Sequence, residues 1–126
     1  MPRTRKDEAP LLVDEPQIEG RYVELDHFTV SFEHFPVASD PAPLFRGLPD
    51  DRCQCPHWGY VLRGELTIAY ADGEEIYRAG DAYYARPGHL PRPGDDAEVV
   101  EFSPTELLGQ SMAVVGANMQ AGVTAR

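Results

Sequence analysis

Hydrophobic and polar positions alternate in short runs along most of this chain, the pattern of half-buried strands. Residues 27–35 show it best. Phe28, Val30 and Phe32 share one face of an extended segment, and His27, Thr29, Ser31 and Glu33 share the other. Further strands are expected at 22–25, 58–62, 65–70, 75–78, 82–85 and 98–102. Arg63-Gly64, the hairpin dipeptide Asp72-Gly73 and Ala79-Gly80-Asp81 separate several of them. Residues 36–51 hold four prolines and residues 86–96 hold three, so both read as loops. Short strands at this spacing predict an all-β sandwich or barrel.

The tail changes period. Leu108, Met112, Val115 and Met119 recur at intervals of four, three and four, one stripe of a helix over 104–120. Ser103-Pro104-Thr105-Glu106 reads as its capping box, with Pro at the first helical position. The stripe needs a cover, either the outside of its own barrel or a second subunit. Residues 1–19 carry three prolines and mixed charge, and are expected to form an arm, disordered or swapped onto a partner. The organisation is then an arm at 1–19, a barrel at 20–103 and a helix at 104–120.

Composition narrows the function classes. With 126 residues the chain has the length of one domain. Acids outnumber bases 21 to 11, for a net charge of −10. Nucleic acid and anionic membrane are therefore not expected partners. No run approaches the roughly 18 apolar residues of a membrane span, and the opening residues are polar. Two cysteines, Cys53 and Cys55, make no disulfide framework, so reduced thiols in the cytoplasm are the expected setting. No nucleophile elbow, phosphate loop or dinucleotide glycine pattern is present.

Two motifs in order carry a family resemblance. Tyr60-Val61-Leu62-Arg63-Gly64-Glu65, and then Gly80-Asp81 with Pro87-Gly88, resemble the two conserved motifs of the cupin superfamily, over residues 53–102. The resemblance implies a double-stranded β-helix, or jelly-roll, barrel that is often a homodimer, with its site in the barrel mouth. The usual ligand positions do not carry over. Counted back from the motif, Asp50 and Arg52 stand where two His are usual, and His57 stands where a Glu is usual. Pro91 takes the place of the second motif's His. The standard metal site is absent as written.

Other ligands stand nearby. Cys53, Cys55 and His57 alternate, which on an extended strand would point them to one face. Thiolate and imidazole suit transition metals, with Zn or Fe the expected ion. A straight strand would place the outer two about 13.6 Å apart at the backbone, so the strand must bend for all to share one ion. His89, whose loop returns near the mouth in cupins, is the best outside ligand, followed by His27. Tyr60, Tyr70, Tyr83, Arg86 and His27 are the candidate cavity-lining residues. Tyr83 and Tyr84 are adjacent, so only one can face inward. Arg86 is a candidate partner for a ligand carboxylate.

Three functions follow as expectations. The first is a small-molecule-binding or sensing protein without the usual cupin metal. The alternative is a metal-dependent dioxygenase, isomerase or hydrolase on Cys53, Cys55, His57 and His89, with Tyr83 or Tyr84 as acid/base. The third is a stress or assembly protein whose dimer surface matters more than its cavity.

Overall fold

The computed structural model describes residues 3–126. Among the described residues nine strands form two antiparallel sheets. In chain order they are β1 (Leu11–Glu15), β2 (Ile18–Leu25), β3 (Phe28–Phe35), β4 (His57–Arg63), β5 (Glu65–Tyr70), β6 (Gly73–Arg78), β7 (Ala82–Ala85), β8 (Leu90–Pro93) and β9 (Ala97–Pro104). The larger sheet runs β1-β2-β3-β9-β4-β7 and the smaller runs β6-β5-β8. One helix, α1 (Thr105–Gln120), follows β9. Between the sheets Phe35, Val61, Tyr83, Ala85, Ala97 and Val99 of the larger sheet meet Leu66, Ile68 and Tyr70 of β5. This is the expected all-β jelly roll with a C-terminal helix.

Two strands lie where loop or arm was expected. β8 contains Pro91 and Pro93, yet it pairs only with β5 at the rim of its sheet. A rim strand has one side free of ladder bonds, so prolines are tolerated there. From Leu11 onward the expected arm is part of the large sheet, because β1 pairs with β2 of the same chain. The residues before it are tied down as well. Arg21 Nη1 donates to the Ala9 carbonyl at 3.0 Å, and Lys6 Nζ lies 2.5 Å from Glu98. Residues 1 and 2 of the expected arm lie outside the described residues.

The capping box is corrected. β9 runs on to Pro104, so Ser103 is a strand residue facing the interior, and no side chain caps α1. The Ser103 hydroxyl is paired with His57 instead, at 2.6 Å. The Thr105 amide donates to the His27 carbonyl across the β2–β3 turn, and the Thr105 hydroxyl meets that of Thr29 at 2.8 Å. The stripe of α1 covers neither the barrel's flank nor a partner. Leu108, Met112, Val115 and Met119 close the open side of the barrel and line its cavity. Asn118 holds the helix there by donating to the carbonyls of Leu44 and Arg46.

The β4–β5 turn shows how tightly the barrel closes. Gly64 has φ +76°, and a Cβ there would lie 2.8 Å from Ala97 Cα. Left-handed backbone costs a side chain about 1–2 kcal/mol, and overpacking about 1–3 more. Gly64→Ala is therefore expected to lower the unfolding free energy by roughly 2–5 kcal/mol in a urea melt. Unchanged stability would show that this turn relaxes freely.

Candidate functional site

The inward face of the large sheet carries polar side chains beside its apolar core. On β3, Ser31, Glu33 and Phe35 face the cavity, with Tyr22 of β2 beside them and Val99 and Glu101 on β9. β4 contributes His57, and Cys53 and His89 complete the polar wall. Opposite lie Leu66 and Ile68 of β5, with α1 across the mouth. The enclosed space measures about 110 Å³. Among the described residues no Lys or Arg lines it.

Cys53, His57 and His89 converge. Their ligand atoms all lie within 4.8 Å of one another, and all three residues are buried. Two local features produce this. The chain bends at Cys55, between a bridged Cys53 and the start of β4, so Cys53 and His57 meet across the bend. Cys53 Sγ lies 3.7 Å from His57 Nε2. The loop carrying His89 then pairs with Cys53, each residue's amide donating to the other's carbonyl, at 2.9 and 3.2 Å.

Cys55 is not part of the group. The bend that joins its neighbours turns its thiol toward the Pro56 carbonyl, 3.4 Å away. Burial, and secondarily Cys53, push that thiol up to about 12.

Hydrogen bonds leave both imidazoles ready as donors to an ion. His89 Nδ1 donates to the Arg86 carbonyl at 2.7 Å, which fixes a lone pair on Nε2. His57 Nδ1 is paired with Ser103 Oγ, and the tautomer that donates there leaves Nε2 free toward Cys53. Burial pushes both rings down to about 4, with each other's proximity adding for His89. His57 Nδ1 is 3.9 Å from Glu101 Oε1, but a ring neutral above pH 4 makes this no charge pair at neutral pH. Burial raises the Cys53 thiol, opposed by Ser111, whose Oγ lies 3.5 Å from its sulfur.

The donor set fits a transition metal. A tetrahedral ion holding sulfur at about 2.3 Å and nitrogen at about 2.1 Å sets the two about 3.6 Å apart. Cys53 Sγ and His57 Nε2 stand 3.7 Å apart. Cys53, His57 and His89 all line the cavity, so an ion held by them would be reachable from it.

Two carboxyls share the wall, Glu101 buried and Glu33 half-buried. Glu33 accepts from Tyr22 Oη at 2.7 Å, and Glu101 accepts from Tyr83 Oη at 2.5 Å. Burial first, then the charge of Glu101, push Glu33 up to about 8. Burial pushes Glu101 up to about 7. Both phenols are held well above their usual range by burial, next by these same carboxylates.

None of the five expected lining residues lines the cavity. Tyr83 comes nearest: it points inward, packs in the core and reaches the cavity wall only through Glu101. Tyr70 is buried, and its hydroxyl accepts from the Arg86 amide at 3.1 Å. Arg86 lies outside, over the Tyr70 ring at 3.8 Å and paired with Asp72 at 3.0 Å. Tyr60 is exposed on the outer face of β4, and His27 is exposed in the β2–β3 turn. Asp50 is exposed on a short 3-10 turn, far in character from a ligand. Glu33 and Glu101 were legible only as strand residues. The alternation at 27–35 marks Glu33's face correctly, but nothing in it says that the polar face is the inner one.

No protein-family model matches the sequence, and no curated protein matches it. Solved structures do match. An RmlC-like cupin from Shewanella frigidimarina superposes with a TM-score of 0.57 at 13% identity, over 80% of this chain and 88% of that one. This chain has the cupin fold. KdgF from a Halomonas species matches with a TM-score of 0.55 at 17% identity, over 79% and 90% of the two chains. A Rhizobium leguminosarum protein of unknown function matches with 0.58 at 14%, over 82% and 94%. At these identities the likeness is one of fold. The motif glycines Gly64 and Gly80 stand at turns of this barrel, while its polar cluster is built from other positions. No helix among the described residues is long and apolar enough to cross a membrane.

Proposed function

We propose that this cupin binds a transition metal, Zn or Fe, on Cys53, His57 and His89, and presents the open position to a small-molecule ligand in the barrel. The observation that carries the reading is the convergence of those three ligand atoms within 4.8 Å. Cys53 would hold the ion as thiolate and give up its proton to solvent, and the two neutral rings would need to lose none. The bound ion would supply Lewis-acid chemistry at the open position. The ligand class follows from the walls. Ile18, Leu66, Ile68, Val115 and Met112 favour a compact hydrocarbon part. Glu33 and Glu101, with no cation beside them, favour a neutral or cationic polar end over a carboxylate. A ligand thiol in this protein needs a reducing setting, consistent with the cytoplasm.

The test is elemental analysis of the purified chain, followed by zinc titration of the chelator-treated protein with melting as the readout. One equivalent of metal and a raised melting temperature are expected. A protein that is metal-free as isolated and unmoved by zinc, iron or cobalt removes the metal from this reading.

A specific observation favours catalysis over simple binding. Glu101, held at about 7, stands beside His57 at the cavity wall. A carboxyl poised near neutrality is suited to proton transfer on a bound ligand. In that reading Glu101, and not Tyr83 or Tyr84, is the acid/base.

A further inference from the structure

One wall of the barrel holds three hydrogen-bonding side chains that are not metal ligands and still face the cavity. They are Ser31 and Glu33 of β3 and Glu101 of β9. The ladder sets them together. Ser31 pairs directly with Glu101, and Glu33 stands two residues further along β3 on the same face. Directly opposed side chains have Cβ atoms about 4.5–5.5 Å apart, and a diagonal neighbour is within reach of a long side chain. The two carboxyls feel each other, since the charge of Glu101 comes second only to burial in raising Glu33.

Each carboxyl is anchored on one side only. Tyr22 Oη donates to Glu33 Oε2 at 2.7 Å, and Tyr83 Oη donates to Glu101 Oε2 at 2.5 Å. The other oxygen of each accepts no hydrogen bond among the described residues. His57 Nδ1 stands 3.9 Å from Glu101 Oε1, beyond hydrogen-bond distance, and is paired with Ser103. Ser31 is only 2% exposed, and its hydroxyl has no hydrogen-bond partner among the described residues. Buried polar groups are nearly always partnered, so an orphaned hydroxyl between two half-satisfied carboxyls marks a place for a ligand.

We propose that this wall binds a primary ammonium group, carried by a small aliphatic amine whose hydrocarbon part lies in the barrel. Glu33, Ser31 and Glu101 offer three acceptors, and a primary ammonium has three N–H donors. Among the described residues no Lys or Arg lines the cavity to take that place. A cation between two carboxylates also relieves the repulsion of ionising both. Leu66 and Ile68 opposite, with Met112 and Val115 of α1, suit an alkyl chain. A space of about 110 Å³ keeps that chain short. A divalent ion is the poorer occupant, because Mg and Ca take about six or more oxygen ligands and the rest of this wall is hydrocarbon. The inference rests on the reading of the barrel as a ligand cavity, and not on the metal at Cys53.

The test uses the full chain after chelator treatment, so that no metal can take the amine nitrogen. It is titrated calorimetrically with ethyl-, butyl- and hexylammonium chloride, and melted with each at about 10 mM. Saturable binding at one site and a raised melting temperature are expected for at least one of the three. That amine should bind at least about tenfold more tightly than the alcohol or the carboxylate of equal length. Tetramethylammonium carries the charge without an N–H, and should bind at least about tenfold more weakly than the best amine. Glu33→Gln and Glu101→Gln are each expected to weaken amine binding at least about tenfold, and Ser31→Ala about threefold. Glu33→Gln keeps an acceptor for Tyr22, so a folded variant remains to be measured. The proposal is overturned if none of the three amines binds, or if the alcohols bind as well. It is also overturned if only magnesium or calcium chloride stabilises the chain, or if both Gln variants bind amine like the parent. The two readings fail separately. One equivalent of metal with no response to amines removes this inference alone, and amine binding by a chain that takes up no metal removes only the metal.

Discussion

Cys53→Ala, His57→Ala and His89→Ala are each expected to reduce bound metal from one equivalent to nearly none. Cys55→Ala is expected to keep it. The contrast follows from the bend at Cys55, which aims two thiols only two residues apart in different directions. Losing one of three protein ligands typically removes orders of magnitude in affinity, since the remaining pair holds an ion no better than an isolated chelate. Cobalt substitution gives a second readout. A Co(II)-loaded protein should show a thiolate-to-metal charge-transfer band that vanishes in Cys53→Ala and persists in Cys55→Ala. If Cys55→Ala loses the metal while Cys53→Ala retains it, the ligand assignment is wrong. Ser103→Ala, which frees His57 Nδ1, is the milder change, because it removes a group that orients a ligand and leaves the ligand itself.

The second large effect is on stability against pH. Glu33 ionises near pH 8 in the folded chain, against 4.5 for the ordinary group. Below 4.5 the carboxyl is protonated folded or unfolded, and its stability is intact. Between 4.5 and 8 the unfolded chain releases the proton while the folded chain keeps it, so stability falls as pH rises. Each unit of displacement is worth about 1.4 kcal/mol, and sharing of the burden with Glu101 lowers the total to a few kcal/mol. Glu33→Gln keeps an acceptor for Tyr22 and removes the ionisation. It is expected to raise the melting temperature by about 10 °C at pH 8 and by little at pH 5. Equal shifts at both pH values would mean that the carboxyl is not held protonated by its surroundings. His57 and His89 bend the curve the other way. Their folded values near 4 cost stability as pH falls from 6.5 toward 4. In the metal-free chain, stability is therefore squeezed from both sides.

What could be read in advance divides along physical lines. Strand periodicity is local, so β3, β5 and β7 stand within a residue of their expected bounds. Tight turns need special backbone, so Gly64 and Gly80 announce themselves, with φ of +76° and +95°. Rim position is a property of the whole sheet. It rescued the two prolines of β8, which sequence reasoning had to count as loop. The helix stripe was legible but not its cover, because a stripe shows that burial is needed and not what supplies it. Ser103 illustrates the competition between levels. A local capping pattern offered its hydroxyl to an amide, and a buried imidazole 46 residues away took it.

By itself, then, the sequence determined the all-β class, the turn glycines, the terminal helix and the presence of Cys and His side chains near residues 53–57 and 89. Alternation assigned two faces to each strand. Only the tertiary structure decided which face is inside: β5 turned Leu66, Ile68 and Tyr70 inward, whereas β3 turned Ser31 and Glu33 inward and Phe28 outward. It also chose Cys53 over Cys55, through a bend whose consequences no period-two pattern contains. The physical reason is the same in each case. Periodicity comes from backbone geometry between neighbours, whereas burial and convergence come from segments far apart in the chain closing the same space.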